Sequence, residues 1–130
     1  LELVDVAEVQ NSYSVTNRAG EEVLELCMAR EIAFVPYFPL GSAFTGGPER
    51  LAQDPVIAAV AERHRITVTQ VALAWLLYRY ERMLLIPGTS SVEHLEENMG
   101  AADVELSERD LAELEGATQL SDPVPAAAHD

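Results

Sequence analysis

Leu84-Leu85-Ile86-Pro87-Gly88-Thr89-Ser90-Ser91-Val92-Glu93-His94-Leu95-Glu96-Glu97-Asn98 carries most of the information in this chain. Its apolar start has the composition of a buried strand, Pro87 and Gly88 end the run, and a cluster of hydroxyls leads into a helical pattern. Ser90 and Glu93 have the spacing of a capping box at the start of that helix. The first N–H groups of a helix have no partner within it, and the helix dipole favours negative charge beside them. A strand, a tight polar turn and a free helix N-terminus are the means by which parallel α/β proteins hold a nucleotide phosphate.

Upstream, the same alternation repeats. Val4 to Gln10 alternates apolar and polar residues and reads as a strand. Arg18 to Glu31 carries Val23, Leu24, Leu26 and Cys27 at helical spacing. Ile32 to Pro36 is a continuous apolar run, the pattern of a strand covered on both faces. Prolines and glycines from Pro36 to Pro48 predict a long loop. Asp54-Pro55 opens the next helix, with Asp as N-cap and Pro in the first turn, and that helix reaches about Arg65. Thr67 and Gln70 form a capping box before the apolar helix through Tyr78. Met83 to Ile86 predicts a third strand, and Ser107 caps a last helix, Glu108 to Glu115. Strand–helix–strand–helix order calls for right-handed βαβ units and a parallel sheet. The expected class is therefore α/β, with three parallel strands and flanking helices.

Composition narrows the function. A chain of 130 residues fits one domain, and 48% hydrophobic residues are enough for a globular core. The formal net charge of −14 would repel a phosphodiester backbone, so no nucleic-acid partner is expected. No apolar run approaches the roughly 18–20 residues that span a bilayer, and no basic segment precedes a short apolar core, so neither a membrane partner nor a signal peptide is expected. Cys27 is the single cysteine and sits in an apolar helical pattern; it is expected to be a buried hydrophobe in a reducing cytoplasm. The eight basic residues are all arginines, so no mechanism that needs a lysine amine can be built from this chain alone. His64, at a helix end, is expected to meet the helix dipole. No cluster has metal-ligand spacing, and no metal site is assigned.

Three blocks together resemble one family. Val9-Gln10-Asn11-Ser12-Tyr13-Ser14, Ile32-Ala33-Phe34-Val35-Pro36-Tyr37-Phe38-Pro39-Leu40-Gly41-Ser42, and Ile86 to Asn98 are similar to aldo-keto reductases, in order and at the family's spacing. They match barrel strands six, seven and eight with the loops that follow, and Val71 to Leu77 resembles the seventh helix. The resemblance covers about residues 3 to 118 and implies part of a TIM (β/α)8 barrel, a fold that needs roughly 250 residues when complete. Residues 1–120 would be the C-terminal part of that barrel and 121–130 a flexible tail.

The resemblance implies a nicotinamide cofactor, NADP(H) or NAD(H), and hydride transfer to an aldehyde or ketone. By position, Gln10 matches the residue that hydrogen-bonds the nicotinamide carboxamide, and Tyr37 the aromatic that stacks on its ring. Leu40, Gly41 and Ser42 match the loop that approaches the pyrophosphate, where Gly permits close backbone contact. Thr89, Ser90 and Ser91 match the turn at the adenosine-side phosphate or ribose, and Glu97 and Asn98 the pair that holds adenine. Without the resemblance, Leu40 to Ser42 is a turn, Thr89 to Ser91 a helix cap, and Glu97 and Asn98 a solvated helix face.

Two departures stand out. Many members carry Lys where Gly88 stands and Arg where His94 stands, and those cations pair with the 2′-phosphate of NADPH. Gly88 offers backbone only, and His94 is cationic only when protonated. The family's tetrad of Asp, Tyr, Lys and His lies on early strands that this chain does not match, so no catalytic residue is assigned here. Three expectations follow: a cofactor-binding part that works with an N-terminal half-barrel, a non-catalytic remnant that binds a nucleotide or a protein, and a second copy of the chain paired through exposed sheet edges.

Overall fold

The computed structural model describes residues 3–42 and 46–120; the expected tail, 121–130, lies outside them. Strand β1 (Glu8–Ser12) and strand β2 (Ala33–Tyr37) are parallel, joined by helix α1 (Glu21–Arg30). Their register pairs Val9 with Phe34, Gln10 with Val35 and Ser12 with Tyr37. Strand β1 begins later than the alternation at Val4 predicts, because the ladder to β2 starts only at Ala33 and a strand needs a partner to bond. Val4 is left exposed.

The third predicted strand, Met83 to Ile86, is reduced to a single parallel bridge between Phe34 and Met83. Phe34 N–H donates to Arg82 O at 3.0 Å, and Leu84 N–H donates to Phe34 O at 2.9 Å. Alternate residues of a strand aim their amides to opposite sides, so Pro36 also faces this segment. The next rung would need an N–H from Pro36, which has none, and the ladder stops there. The segment still lies beside β2, giving the spatial order β1, β2, 83–86. Leu84 and Ile86 are 52% and 50% exposed.

Three helices form where local signals place them. Asp54 caps α3 (Pro55–His64), accepting from Val56 N at 2.9 Å and Ile57 N at 3.3 Å. Thr67 and Gln70 complete the capping box of α4 (Val68–Arg79). Ser107 caps α6 (Glu108–Leu114), with Asp110 returning the bond. Helix α5 (Val92–Gly100) differs by one position: its N-cap is Ser91, which accepts from His94 N at 3.3 Å, and not Ser90. The N–H of Ser91 is turned onto Thr89 Oγ1 at 3.1 Å, and that local bond fixes the cap. Helix α2 (Gly47–Gln53) occupies the end of what reads as loop; Pro48 in its first turn is its start signal. A 3-10 turn, Ala101–Asp103, follows α5.

The core lies between the strands and the helices. Val71 to Leu76 of α4 are buried without interruption, as a helix enclosed on most sides must be. Tyr13 stacks on Trp75 at 5.7 Å between ring centroids and meets Phe34 edge-on at 5.9 Å. Leu24, Ile57, Val60 and Leu114 complete the cluster. Side chains of this size each contribute about 1.5–3 kcal/mol when fully buried. Cys27 is buried and unpaired as expected, and burial pushes its thiol up. His64 does more than face a helix dipole: its Nε2 lies 2.7 Å from Asp110 Oδ2.

Candidate functional site

Parallel strands in an α/β fold present their C-terminal ends to ligands. Here Tyr37 and the loop that follows β2 lie at that end, while Gln10 sits at the middle of β1. Gln10, Val35 and Tyr37 share one face of the sheet, since registered partners in a parallel pair point the same way. Phe34, on the opposite face, packs into the helical core. Gln10 is exposed, and its Nε2 donates to Glu8 Oε1 at 3.0 Å. Tyr37 is 39% exposed and stands edge-on to Phe38, 5.4 Å away. Both can therefore present an amide and an aromatic face without disturbing the core.

Beyond Tyr37 the chain turns sharply. Phe38 adopts φ 54, a conformation uncommon outside glycine, and Gly41 adopts φ 85. Gly41 N–H donates to Phe38 O at 2.9 Å, closing the turn. Ser42 is buried, and its carbonyl accepts from Gly47 N at 2.9 Å, anchoring the loop to α2. Backbone strain held beside a strand end is a recurrent feature of ligand loops.

A cleft of about 170 Å³ opens between this loop and α5. Leu40, Gly88, Thr89, His94, Glu97 and Asn98 line it, together with Pro48 of α2 and Thr69 of α4. It thus brings together six of the twelve positions singled out in the sequence. Gln10, Tyr37, Gly41, Ser42, Ser90 and Ser91 do not line it. Nothing in the sequence marks Pro48 and Thr69 as cleft residues; only the packing of α2 and α4 brings them there.

The electrostatics of the cleft are set by few groups. Helix α5 starts at its rim, and His94 N–H is committed to Ser91 Oγ, so Val92 and Glu93 supply the first-turn amides. Glu97 accepts from Thr67 Oγ1 at 2.9 Å, and its carbonyl accepts from Gln70 Nε2 at 2.9 Å. A Cβ built on Gly88 would meet nothing within 4 Å, so the backbone there stands open. Pockets for drug-sized ligands run to about 300–1,000 Å³, so this cleft can take one end of a dinucleotide and not the whole. Exposed hydroxyls, an open glycine and a helix N-terminus fit a phosphate-bearing adenosine end. Among the described residues no group of three His, Cys, Asp or Glu side chains could hold a metal ion, and no helix is long and apolar enough to cross a membrane.

Comparison with known proteins gives the same architecture. The model of the aldo/keto reductase family matches residues 2–119. The pyridoxine 4-dehydrogenase of Escherichia coli is 44% identical over 114 residues, covering 88% of this chain and 38% of the relative. An uncharacterized oxidoreductase of Schizosaccharomyces pombe is 42% identical over 110 residues, covering 85% of this chain and 34% of the relative. The crystal structure of an aldo/keto reductase from Klebsiella pneumoniae, in complex with NADP and acetate, superposes with a TM-score of 0.75 at 33% identity, over 84% of this chain and 38% of that one. The chain spans little more than a third of the length of these relatives, and its two strands and third segment are part of a TIM barrel. In sequence and in structure alike, this chain belongs to the aldo/keto reductase family.

Proposed function

We propose that this chain is the C-terminal, cofactor-holding part of an NAD(P)H-dependent carbonyl reductase, and that it acts only with a tetrad-bearing N-terminal half-barrel. The observation that carries this reading is the cleft, which gathers Leu40, Gly88, Thr89, His94, Glu97 and Asn98 beside the N-terminus of α5. The neighbour bound to NADP is consistent with that use. The nicotinamide cofactor, when bound, supplies hydride to a carbonyl carbon. This chain's residues hold and orient it. Amides of α5 and the Thr89 hydroxyl face a phosphate, the Gln10 amide meets the carboxamide, and Tyr37 covers one face of the ring. A lone buried Cys27 fits a reducing, cytoplasmic setting.

The test is to titrate the chain with NADP+ and NAD+, and then to mix it with a lysine-bearing N-terminal half and follow carbonyl-dependent NADPH oxidation. Nucleotide binding by the chain and turnover only in the mixture are expected. Failure of every mixture to turn over, with no nucleotide bound, would sink the reading. Binding without turnover would favour a non-catalytic nucleotide-binding remnant.

A second reading has its own observation. Among the described residues no strand pairs with 83–86 on the side away from β2, Leu84 and Ile86 are exposed, and such edges recruit other strands. A second copy of the chain would then cover it. Light scattering should give a dimer that Ile86→Lys dissociates; a monodisperse monomer would count against this reading.

A further inference from the structure

A second pocket, of about 260 Å³, lies between the loop after β1, the start of α1, the C-terminal half of α4 and the end of α6. Tyr13, Arg18, Glu21, Trp75, Arg79 and Glu115 line it, and it shares no residue with the cleft at α5. The guanidinium carbons of Arg18 and Arg79 stand 5.0 and 5.8 Å from the centroid of the Trp75 ring. Two cations on one ring repel, and two carboxylates balance them. Glu21, in the first turn of α1, pairs with Arg79 and accepts from the Tyr13 hydroxyl. Burial pushes that hydroxyl up, so it stays a donor. Glu115 pairs with Arg18 Nη1 at 2.9 Å. These carboxylates do not fill the donors: Nε of Arg18 and Nε of Arg79 are both buried and meet no acceptor among the described residues. Buried donors without a partner are rare and mark a place for an acceptor.

The two carboxylates are held unequally. Glu21 has two partners and the favourable end of a helix dipole. Glu115 has one salt bridge, its side chain is 64% exposed, and it sits at the C-cap of α6, where the dipole disfavours a carboxylate. Arg18 does not depend on it for position, because Nη2 donates to Leu114 O at 2.7 Å. The Glu115 carboxylate can therefore swing into solvent and leave Arg18 in place. We propose that this pocket binds a small oxyanion of the phosphate class, which takes the position of the Glu115 carboxylate and bridges Arg18 and Arg79. A tetrahedral oxyanion presents more acceptors than a carboxylate, and guanidinium groups hold it by paired charge-assisted hydrogen bonds. A water takes about 30 Å³, so the pocket admits such an ion with part of its hydration shell and is too small for a dinucleotide. The bound ion would tie the loop after β1 to α4 and α6 and stabilise the fold by mass action.

Trp75 is the single tryptophan, so its fluorescence reports on this pocket. The experiment titrates the full chain with inorganic phosphate and, separately, with O-phosphoserine, at about pH 7.5 where both are largely dianions, with ionic strength held constant by chloride. The wild type should saturate with a Kd of about 1 mM. Glu115→Gln, at an exposed side chain, should tighten binding about five-fold by removing the competing carboxylate. Arg79→Gln should weaken it about ten-fold; if that variant does not fold, the response of Glu115→Gln decides. Tighter binding of phosphoserine would identify the ligand as a phosphomonoester and tighter binding of phosphate as the free ion, and either supports the proposal. Absence of saturation by both in the wild type would overturn it. So would saturation that Glu115→Gln leaves unchanged, or that a folded Arg79→Gln retains at full strength, because the ion would then sit elsewhere.

Discussion

Thr67 Oγ1 donates to Glu97 Oε1 at 2.9 Å, tying the N-cap of α4 to the helix that walls the cleft. Gln70 reinforces the tie: it closes the capping box on Thr67 N at 3.2 Å and donates its Nε2 to Glu97 O at 2.9 Å. The residues that start α4 thus also hold α5 in place. Thr67→Ala removes both the cap and the Glu97 contact. Loss of the cap alone costs about 0.5–2 kcal/mol, read as a lower urea midpoint with an unchanged slope. Nucleotide binding should weaken in parallel, because α5 loses an anchor. Thr67→Ser, which retains the hydroxyl, should restore most of both.

Asp110 is fully buried and is the hub of a second network. Arg63 and Ser107 donate to it, and His64 Nε2 lies 2.7 Å away. Burial alone would push its carboxyl up, but the Ser107 N–H, His64, the Ser107 hydroxyl and Arg63 outweigh it and hold the group well below the ordinary carboxylate range. The sign of the linkage follows. A depressed carboxylate stabilises the fold fully above its unfolded pKa, near about 3.9, and that stabilisation is lost as pH falls toward the folded value. Stability by chemical denaturation should therefore drop as pH is lowered from about 5 through about 3. Asp110→Asn should lower stability at neutral pH by about 2–4 kcal/mol and flatten that acid limb. An acid limb as steep as the wild type's would show that other carboxylates set it.

Gly20 has no room for a side chain: a Cβ there would lie 2.9 Å from Ser12 O and 3.0 Å from Asn11 Nδ2. The amide of Asn11 can rotate, but Ser12 O belongs to strand β1 and cannot move without shifting the strand. Gly20 has φ −85, which any residue adopts, so the obstacle is contact and not conformation. Gly20→Ala should cost about 1–3 kcal/mol through this overpacking. Thermal melting would read it as a clear fall in Tm; an unchanged Tm would mean that β1 yields at no cost.

How much of this the sequence discloses depends on how local each signal is. The caps of α3, α4 and α6 are legible because Asp54, Thr67 and Ser107 bond to N–H groups two or three residues away. Strand β2 is legible because Ala33 to Pro36 is apolar on both faces. The third strand fails for a reason the local pattern does not contain: Pro36, on the neighbouring strand, faces it and cannot donate. Helix α2 has Pro48 as its start signal, but the glycines around it read as loop. The left-handed turn at Phe38 and the cleft walls Pro48 and Thr69 depend on tertiary packing. Of the positions matched by family likeness, half line one cleft.

Gly88 lends itself to a gain-of-function test. Nothing lies within 4 Å of the Cβ it lacks, so a side chain can be added without cost to the fold. A cation placed there would stand at the rim of the cleft, beside Thr89 and the N-terminus of α5. A charge-assisted hydrogen bond to phosphate is worth about 1.5–3 kcal/mol, and solvent exposure reduces it toward the lower end. Gly88→Lys should therefore tighten NADP+ about ten-fold relative to NAD+. Thermal stability should stay unchanged, since no packed atom moves. Equal tightening of both nucleotides would mean that the added charge acts on the shared pyrophosphate. No tightening of either would place the phosphate elsewhere and remove the cleft from the cofactor site.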